Sequence, residues 1–369
     1  MNILILTNHL NIGGITRYVL SLSYGLKKRG HRVFVGSLPG WSEKLLKENG
    51  IVFLRLPLKT KSIFSLRQIF SYIILKRFIR KENIGLIHAQ TRITQFLAFV
   101  LSKRLNIPYV CTFHGFYRAH LMRRRVSCLG DLTIAISQAV GRHLINDFNL
   151  DERKLRVVYN SAGLEPASLL PCSEEAGAKD FTSFKGSPTI GIIARLSEEK
   201  GHLFLFRAFS RLIKDYPNAR LLVAGSGKKE RELKDWAQKE NLSNRIIFLG
   251  NVTELGSLFE ILDVSVLPST LEGLGFSVLE AQANGVPVVA SCVGGITEII
   301  KDRATGILVK PADVDNLYQG ISLILKDALL REGIINNAKK QIKERFGLEG
   351  MIIQIESVYK EAVKGSKKR

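Results

Sequence analysis

The feature that most constrains the fold is a rhythm in which short β-branched runs alternate with longer amphipathic stretches, in two successive series. Strand-length runs alternating with helix-length stretches are the mark of βαβ units and of parallel sheets covered by helices. In the first series strands are expected at Asn2–Leu6, Arg32–Gly36, Gly85–His88, Tyr109–Thr112, Leu132–Ile136 and Leu155–Val158, with helices at Ile15–Arg29, Trp41–Asn49 and Thr94–Leu105. In the second, strands are expected at Thr189–Ile193, Arg220–Ala224, Arg245–Leu249, Val264–Leu267, Pro287–Ala290 and Gly306–Val309. The helices between them would be Gly201–Asp215, Lys228–Glu240, Glu254–Leu262, Ser277–Asn284 and Val314–Leu325. Between the series, Pro166, Pro171, Gly177, Gly186 and Pro188 interrupt all periodicity.

The reading that follows is an α/β protein of two doubly wound, Rossmann-like domains, 1–165 and 189–350, joined by a linker at 166–188. An amphipathic tail helix within 351–369 is expected to pack back on the first domain. At 369 residues the chain exceeds what one core usually serves. Two such domains are expected to face each other across a cleft, with a ligand bound at the carboxyl ends of the two parallel sheets.

Composition removes several classes. Hydrophobic residues make up 46% of the chain and charged ones 24%, so a disordered protein is excluded. No uncharged apolar run reaches about 18 residues, so no transmembrane helix is expected. The start, Met1–Thr7, reads as a buried strand instead of a signal peptide. Cys111, Cys128, Cys172 and Cys292 lie far apart with no metal-ligand spacing, which fits a reduced, cytoplasmic protein.

The net charge of +21 is unevenly placed. Residues 1–168 hold 26 Lys/Arg against 8 Asp/Glu, and between Asn49 and Gly130 there are 15 bases and one acid, Glu82. Such a field attracts polyanions, whether nucleic acid, anionic lipid or phosphorylated glycan. A merely basic soluble surface is the plain alternative.

Four constellations carry chemistry. In Ser269-Thr-Leu-Glu-Gly-Leu-Gly-Phe-Ser-Val-Leu-Glu280 a strand ends, a glycine loop follows and a helix opens. Helix N-termini offer unpaired N–H groups to anionic oxygens, and Gly273 and Gly275 permit close approach of a ligand. Glu272 and Glu280 beside a phosphate make sense if they bind hydroxyls, as a sugar would offer; an ordinary turn with two surface glutamates fits the spacing as well. In Ala194-Arg-Leu-Ser-Glu-Glu-Lys-Gly201, Arg195 and Lys200 could neutralise a leaving diphosphate, or could pair with Glu198 and Glu199. Gly13 and Gly14 fall between the first strand and first helix, and His114 ends a strand. Asp313-Val-Asp315 follows Pro311 and precedes a helix, so capping explains it better than a metal, and no metal is assigned.

The Glu272-x7-Glu280 spacing, Ala281-Gln-Ala-Asn-Gly-Val-Pro-Val-Val and Gly294-Gly295-Ile-Thr-Glu298 together resemble family 4 of the retaining glycosyltransferases, which have the GT-B fold. The resemblance covers essentially the whole chain and is most specific over 187–310. It implies that Glu272 contacts the donor sugar's hydroxyls and that the amides of Leu274, Gly275 and Phe276 hold the sugar. Ser277 and Val278 would hold the diphosphate, Glu280 the ribose, and Arg195 with Lys200 the leaving phosphates. By the same resemblance Gly13, Gly14, Gly225 and Val252 join the donor set. His114 would position the donor sugar, and Ser137 would lie on the acceptor side, where a helix N-cap is the competing reading. One feature departs from the family: Asn160-Ser-Ala-Gly163 stands where the family often has Asn-Gly-Val-Asp; Val223-Ala-Gly225-Ser-Gly227 keeps the family's second-domain glycine turn, which is too short for a dinucleotide fingerprint.

The expected enzyme is therefore a glycosyltransferase without cofactor or metal, using a UDP- or GDP-linked sugar as co-substrate. Within Ile63–Lys81, Leu66, Ile69, Phe70, Ile73 and Ile74 recur at helical spacing among cations. That pattern fits an interfacial helix, and equally a core helix with a basic edge. With Arg118, Arg123, Arg124 and Arg125 it points to an anionic membrane surface or lipid-linked glycan acceptor, at the inner face of the cytoplasmic membrane. Lipopolysaccharide, capsule and glycolipid synthesis are the settings this suggests. A nucleic-acid partner is not expected, since no aromatic-basic recognition motif accompanies the charge. The alternatives are a sugar epimerase or phosphorylase of the same fold, and a nucleic-acid- or glycan-binding protein without transferase activity.

Overall fold

The computed structural model describes residues 1–58, 65–117, 128–162, 187–252 and 255–366. The chain divides into two units, Met1–Leu169 with Leu348–Arg369, and Leu170–Gly347. The proposed linker and the cluster Arg118, Arg123, Arg124 and Arg125 lie outside the described residues, apart from Ser187 and Pro188.

The first unit is a seven-stranded parallel sheet. Its strands are β1 (Asn2–Leu6), β2 (Arg32–Ser37), β3 (Val52–Arg55), β4 (Leu86–Ala89), β5 (Tyr109–Phe113), β6 (Leu132–Ala135) and β7 (Leu155–Val157), in the order β3-β2-β1-β4-β5-β6-β7. Most strands are buried on both faces, as parallel strands under helices must be. β3 is absent from the expected strands. It is a half-exposed edge strand of four residues, too short to show alternation.

Helices α1 (Gly14–Lys28), α2 (Glu43–Glu48), α3 (Leu66–Lys81), α4 (Arg92–Leu105) and α5 (Gln138–Phe148) connect these strands. Right-handed crossovers place α1 and α2 on one face and α3 to α5 on the other, because the strand order runs outward from β1 in both directions. Phe78 of α3 meets Phe34 of β2 edge-to-face at 5.3 Å on that second face.

The second unit is a six-stranded parallel sheet of β8 (Thr189–Ile193), β9 (Arg220–Ala224), β10 (Ile246–Gly250), β11 (Val264–Leu267), β12 (Val288–Ser291) and β13 (Ile307–Val309). The order is β10-β9-β8-β11-β12-β13. Its helices are α6 (His202–Asp215), α7 (Glu230–Lys239), α8 (Gly256–Phe259), α9 (Phe276–Ala283), α10 (Ile296–Ile299), α11 (Val314–Lys326) and α12 (Ala328–Arg345). α5, α10 and α12 are missing from the expected helices; in α12 buried Ile334, Ala338 and Ile342 are diluted by lysines and asparagines. Asp313 caps α11 by accepting the Asn316 N–H at 2.9 Å, and Asp315 pairs with Arg211.

The final helix, α13 (Leu348–Ser366), belongs to the first unit. Met351, Ile352, Ile355, Val358, Tyr359 and Ala362 enter the core formed by α1 and the first sheet. Gly25 on α1 allows this approach, since a Cβ there would stand 2.5 Å from Ile352. Glu356 closes the docking: its carboxylate accepts from Arg29 Nε at 2.8 Å and lies 2.7 Å from His31 Nε2. Burial by itself would raise the Glu356 pKa, but the hydrogen bonds from His31 and Arg29 outweigh it and the pKa is lowered.

Candidate functional site

In each unit the strand order reverses beside the first strand, between β1 and β4 and between β8 and β11. Loops leaving such neighbouring strands diverge to opposite faces and open a crevice at their carboxyl ends. Gly13 and Gly14 lie at the first of these places, and Arg195, Lys200 and the stretch Glu272 to Glu280 at the second.

In the second unit the loop after β8 carries Arg195 and Lys200, and the loop after β11 carries Ser269 to Gly275. Three contacts lock the loops together. The Thr270 N–H donates to the Glu199 carbonyl at 2.9 Å. Gly201, at φ +70°, lies so close that a Cβ would meet the Pro268 oxygen at 2.0 Å. Lys200 Nζ donates to Glu272 Oε2 at 2.5 Å, and Ser269 Oγ reaches the same oxygen at 3.3 Å. Lys200 and Glu272 are both largely shielded from solvent, at 19% and 12% side-chain exposure. Arg195 is exposed and donates from Nη2 to Glu199 Oε1 at 2.7 Å. The pairing with Glu199 weighed from the sequence is thus present for Arg195, whereas Lys200 turns to Glu272. Burial would raise the Glu199 pKa, but hydrogen bonds from Ser197, its own backbone and Arg195 bring it down.

The glycine loop ends in Gly275, at φ +98°, which caps α9 without a side-chain hydrogen bond. Leu274 and Val278 are buried, so only their backbones can serve a ligand, while Phe276, Ser277 and Glu280 are half-buried. Among the first amides of α9, that of Val278 donates to the Gly275 carbonyl at 3.0 Å, while those of Phe276 and Ser277 have no acceptor within the helix. Gly225, at φ +137°, follows β9; a Cβ there would stand 2.1 Å from the Ala194 oxygen, so this glycine shapes the Arg195 loop from behind. Val252 lies half-buried just beyond β10. Among the described residues no group of three His, Cys, Asp or Glu side chains could hold a metal ion.

In the first unit Gly13 (φ +156°) and Gly14 open α1 directly after β1, with open space around Gly13. His114 follows β5. Its Nε2 lies 2.9 Å from Oε1 of Gln90, which is fully buried at the carboxyl end of β4, and its ring meets Tyr18 of α1 edge-to-face at 4.8 Å. With Gln90 Oε1 as acceptor, Nε2 carries the proton and Nδ1 is left as an acceptor. Burial lowers the His114 pKa to about 3, so the ring is neutral at physiological pH.

Behind it runs a buried polar chain. Tyr18 Oη is 3.3 Å from Thr112 Oγ1, which is 2.7 Å from His88 Nε2, and His88 Nδ1 is 2.6 Å from Tyr359 Oη. The sequence reading missed Gln90, His88 and Tyr359; a polar pair ending an otherwise apolar strand, His88 and Gln90, was the available signal.

Ser137 is fully buried and accepts the Val140 N–H at 3.1 Å as the N-cap of α5, so the capping role weighed from the sequence is present.

Residues 174–341 match the model of the glycosyl transferases group 1, and residues 12–165 match that of glycosyltransferase family 4. The chain is a family 4 glycosyltransferase. An uncharacterised glycosyltransferase of Methanocaldococcus jannaschii is 29% identical to it over 95% of each chain. The UDP-Gal:alpha-D-GlcNAc-diphosphoundecaprenol alpha-1,3-galactosyltransferase of Escherichia coli is 23% identical over 82% of each. A glycosyltransferase structure from Rickettsia africae superposes with a TM-score of 0.81 at 25% identity, covering 98% of both chains. Anabaena HepE in complex with UDP and glucose gives 0.84 at 22% identity, covering 98% of the transferase and 100% of HepE. The transferase thus has the GT-B fold, two Rossmann-like domains of seven and six parallel strands.

Proposed function

We propose that this transferase moves a hexose-type sugar from a UDP- or GDP-linked donor to a lipid-linked or cell-envelope glycan, with retention of anomeric configuration and without a metal. The observation that carries the reading is the Lys200–Glu272 pair beside Arg195 and the first amides of α9, at the strand reversal of the second sheet. Two cations and a helix N-terminus match a diphosphate, and a carboxylate among them matches sugar hydroxyls. The HepE complex with UDP and glucose supports the same donor class.

In the reaction the anomeric C–O bond to the β-phosphate breaks while the acceptor oxygen bonds the same carbon from the same face. The acceptor's proton passes to the departing phosphate oxygen. Negative charge grows on that phosphate, where Lys200, Arg195 and the amides of Ser277 and Val278 stabilise it. Glu272 and the amides of Leu274, Gly275 and Phe276 hold the sugar, and Glu280 the ribose. Gly13 and Gly14 leave room for substrate at the start of α1, and His114 accepts a sugar hydroxyl through neutral Nδ1. Gly225 and Val252 shape the donor site.

The acceptor is assigned to a lipid carrier at the inner face of the cytoplasmic membrane, as in lipopolysaccharide, capsule or glycolipid synthesis. The basic first unit supports this, as does the diphosphoundecaprenol-linked acceptor in the name of the E. coli relative. No described helix is long and apolar enough to cross a membrane, so the association would be peripheral. A thermal-shift screen against UDP, GDP, ADP and CMP tests the donor. Stabilisation by UDP or GDP is expected; stabilisation by none of the four overturns the nucleotide-sugar reading.

A further inference from the structure

α3 is built inside out. Its buried strip is Gln68, Ser71, Leu75 and Ile79, while the large apolar side chains at its start face solvent. Leu66 is 73% exposed, Phe70 60% and Ile69 54%, with Ile73 and Ile74 also exposed. At about 100° per residue these five positions share one face. Arg77, Arg80 and Lys81 continue that face through the last turn, all exposed, with Lys76 at its margin. The helix contains no acid. Glu82, just after it, is held by Arg32 at 2.9 Å.

An exposed apolar cluster of this kind on one helix marks a surface that is covered when the protein works. Its chemistry selects the cover. Apolar side chains beside cations suit the boundary between acyl chains and anionic headgroups. A second copy of the chain is a poor match, because α3 offers no carboxylate to the cations of another α3 in either orientation.

Topology gives the surface its position. α3 runs antiparallel to the strands, from beyond the carboxyl end of β3 to just before the start of β4. Its apolar half therefore lies at the edge of the sheet that also carries Gly13, Gly14 and Gln90.

We infer that α3 is the membrane-docking element of this enzyme: Leu66, Ile69, Phe70, Ile73 and Ile74 enter the interface of an anionic bilayer, and Lys76, Arg77, Arg80 and Lys81 contact its headgroups. The inference deepens the lipid-linked acceptor reading above and rests on it only for its purpose, since docking is measured without acceptor.

The test is flotation of the full chain with vesicles of phosphatidylcholine, alone or with about 30% phosphatidylglycerol, at low and high salt. Wild type is expected to float with the anionic vesicles and much less with the neutral ones. Phe70→Ser/Ile73→Ser, both exposed positions, should melt as wild type does yet lose at least about tenfold in binding that survives high salt. Arg77→Glu/Lys81→Glu should lose at least about tenfold at low salt. Wild type that ignores anionic vesicles, or either variant binding as wild type does, overturns the assignment. So does sedimentation showing a wild-type dimer that Phe70→Ser/Ile73→Ser converts to monomer, which would make a second copy the occupant. Nucleotide released from a nucleotide sugar, measured without vesicles, reports the transferase reading separately; its absence would remove that reading and leave the docking result standing.

Discussion

The ammonium of Lys200 sits 2.5 Å from the carboxylate of Glu272, 72 residues further along the chain. Each group thereby neutralises the other before any ligand arrives. A diphosphate must take Lys200 over from Glu272 and tolerate the carboxylate beside it. A donor sugar offers that carboxylate hydroxyls in exchange. Glu272→Gln should therefore bind UDP or GDP several-fold more tightly while losing on the order of 100-fold in turnover with the complete donor. Calorimetry with the bare nucleotide, alongside steady-state rates, checks both; unchanged nucleotide affinity would show that the pair does not gate the site.

Lys200→Ala and Arg195→Ala should lower kcat by about 100-fold or more, with much smaller losses in donor affinity. Both cations face charge that grows only as the phosphate departs, so their stabilisation is largest in the transition state. Equal losses in binding and turnover would make them ground-state anchors instead.

Activity should survive chelation. Two side-chain cations and the first amides of α9 supply the positive charge the departing diphosphate needs. Complete loss in EDTA, reversed by added magnesium or manganese, is the outcome that would refute this.

Stability should depend on pH through buried histidines. Burial lowers the pKa of His88 to about 3, with the neighbouring His114 adding to the effect, and burial lowers that of His114 to about 3. The ordinary value near 6.5 applies in the unfolded chain, which therefore takes up protons first as pH falls. The stability contributed by keeping these rings neutral is complete above pH about 6.5 and is lost progressively toward pH about 3. Each histidine adds about 1.4 kcal/mol per pH unit to the slope in that window. Urea unfolding of His88→Gln between pH 4 and 6.5 should show a slope shallower by about that amount than wild type.

Much of the site was legible because its residues lie within short stretches whose spacing is set locally. Arg195 and Lys200 occupy one loop, and Glu272 through Gly275 a second that runs into the first turns of α9 with Glu280, each loop between a strand and a helix that periodicity locates. β3 escaped because an edge strand of four half-exposed residues has neither alternation nor a buried run. Gln90 and Tyr359 escaped because their roles come from partners 24 and 271 residues away, His114 and His88.

From sequence alone came the two α/β series and the family-like loops, because hydrophobic period and turn residues act over a few positions. Tertiary structure decided the rest. It chose Glu272 over Glu198 and Glu199 as the partner of Lys200, and it buried Ser137 as a cap. It turned the apolar residues of α3 outward, a choice no periodicity contains, since a helical stripe has the same spacing whether it faces a core or a bilayer. Which face is buried depends on what the sheet and α4 already cover, and that is settled only when the whole unit is packed.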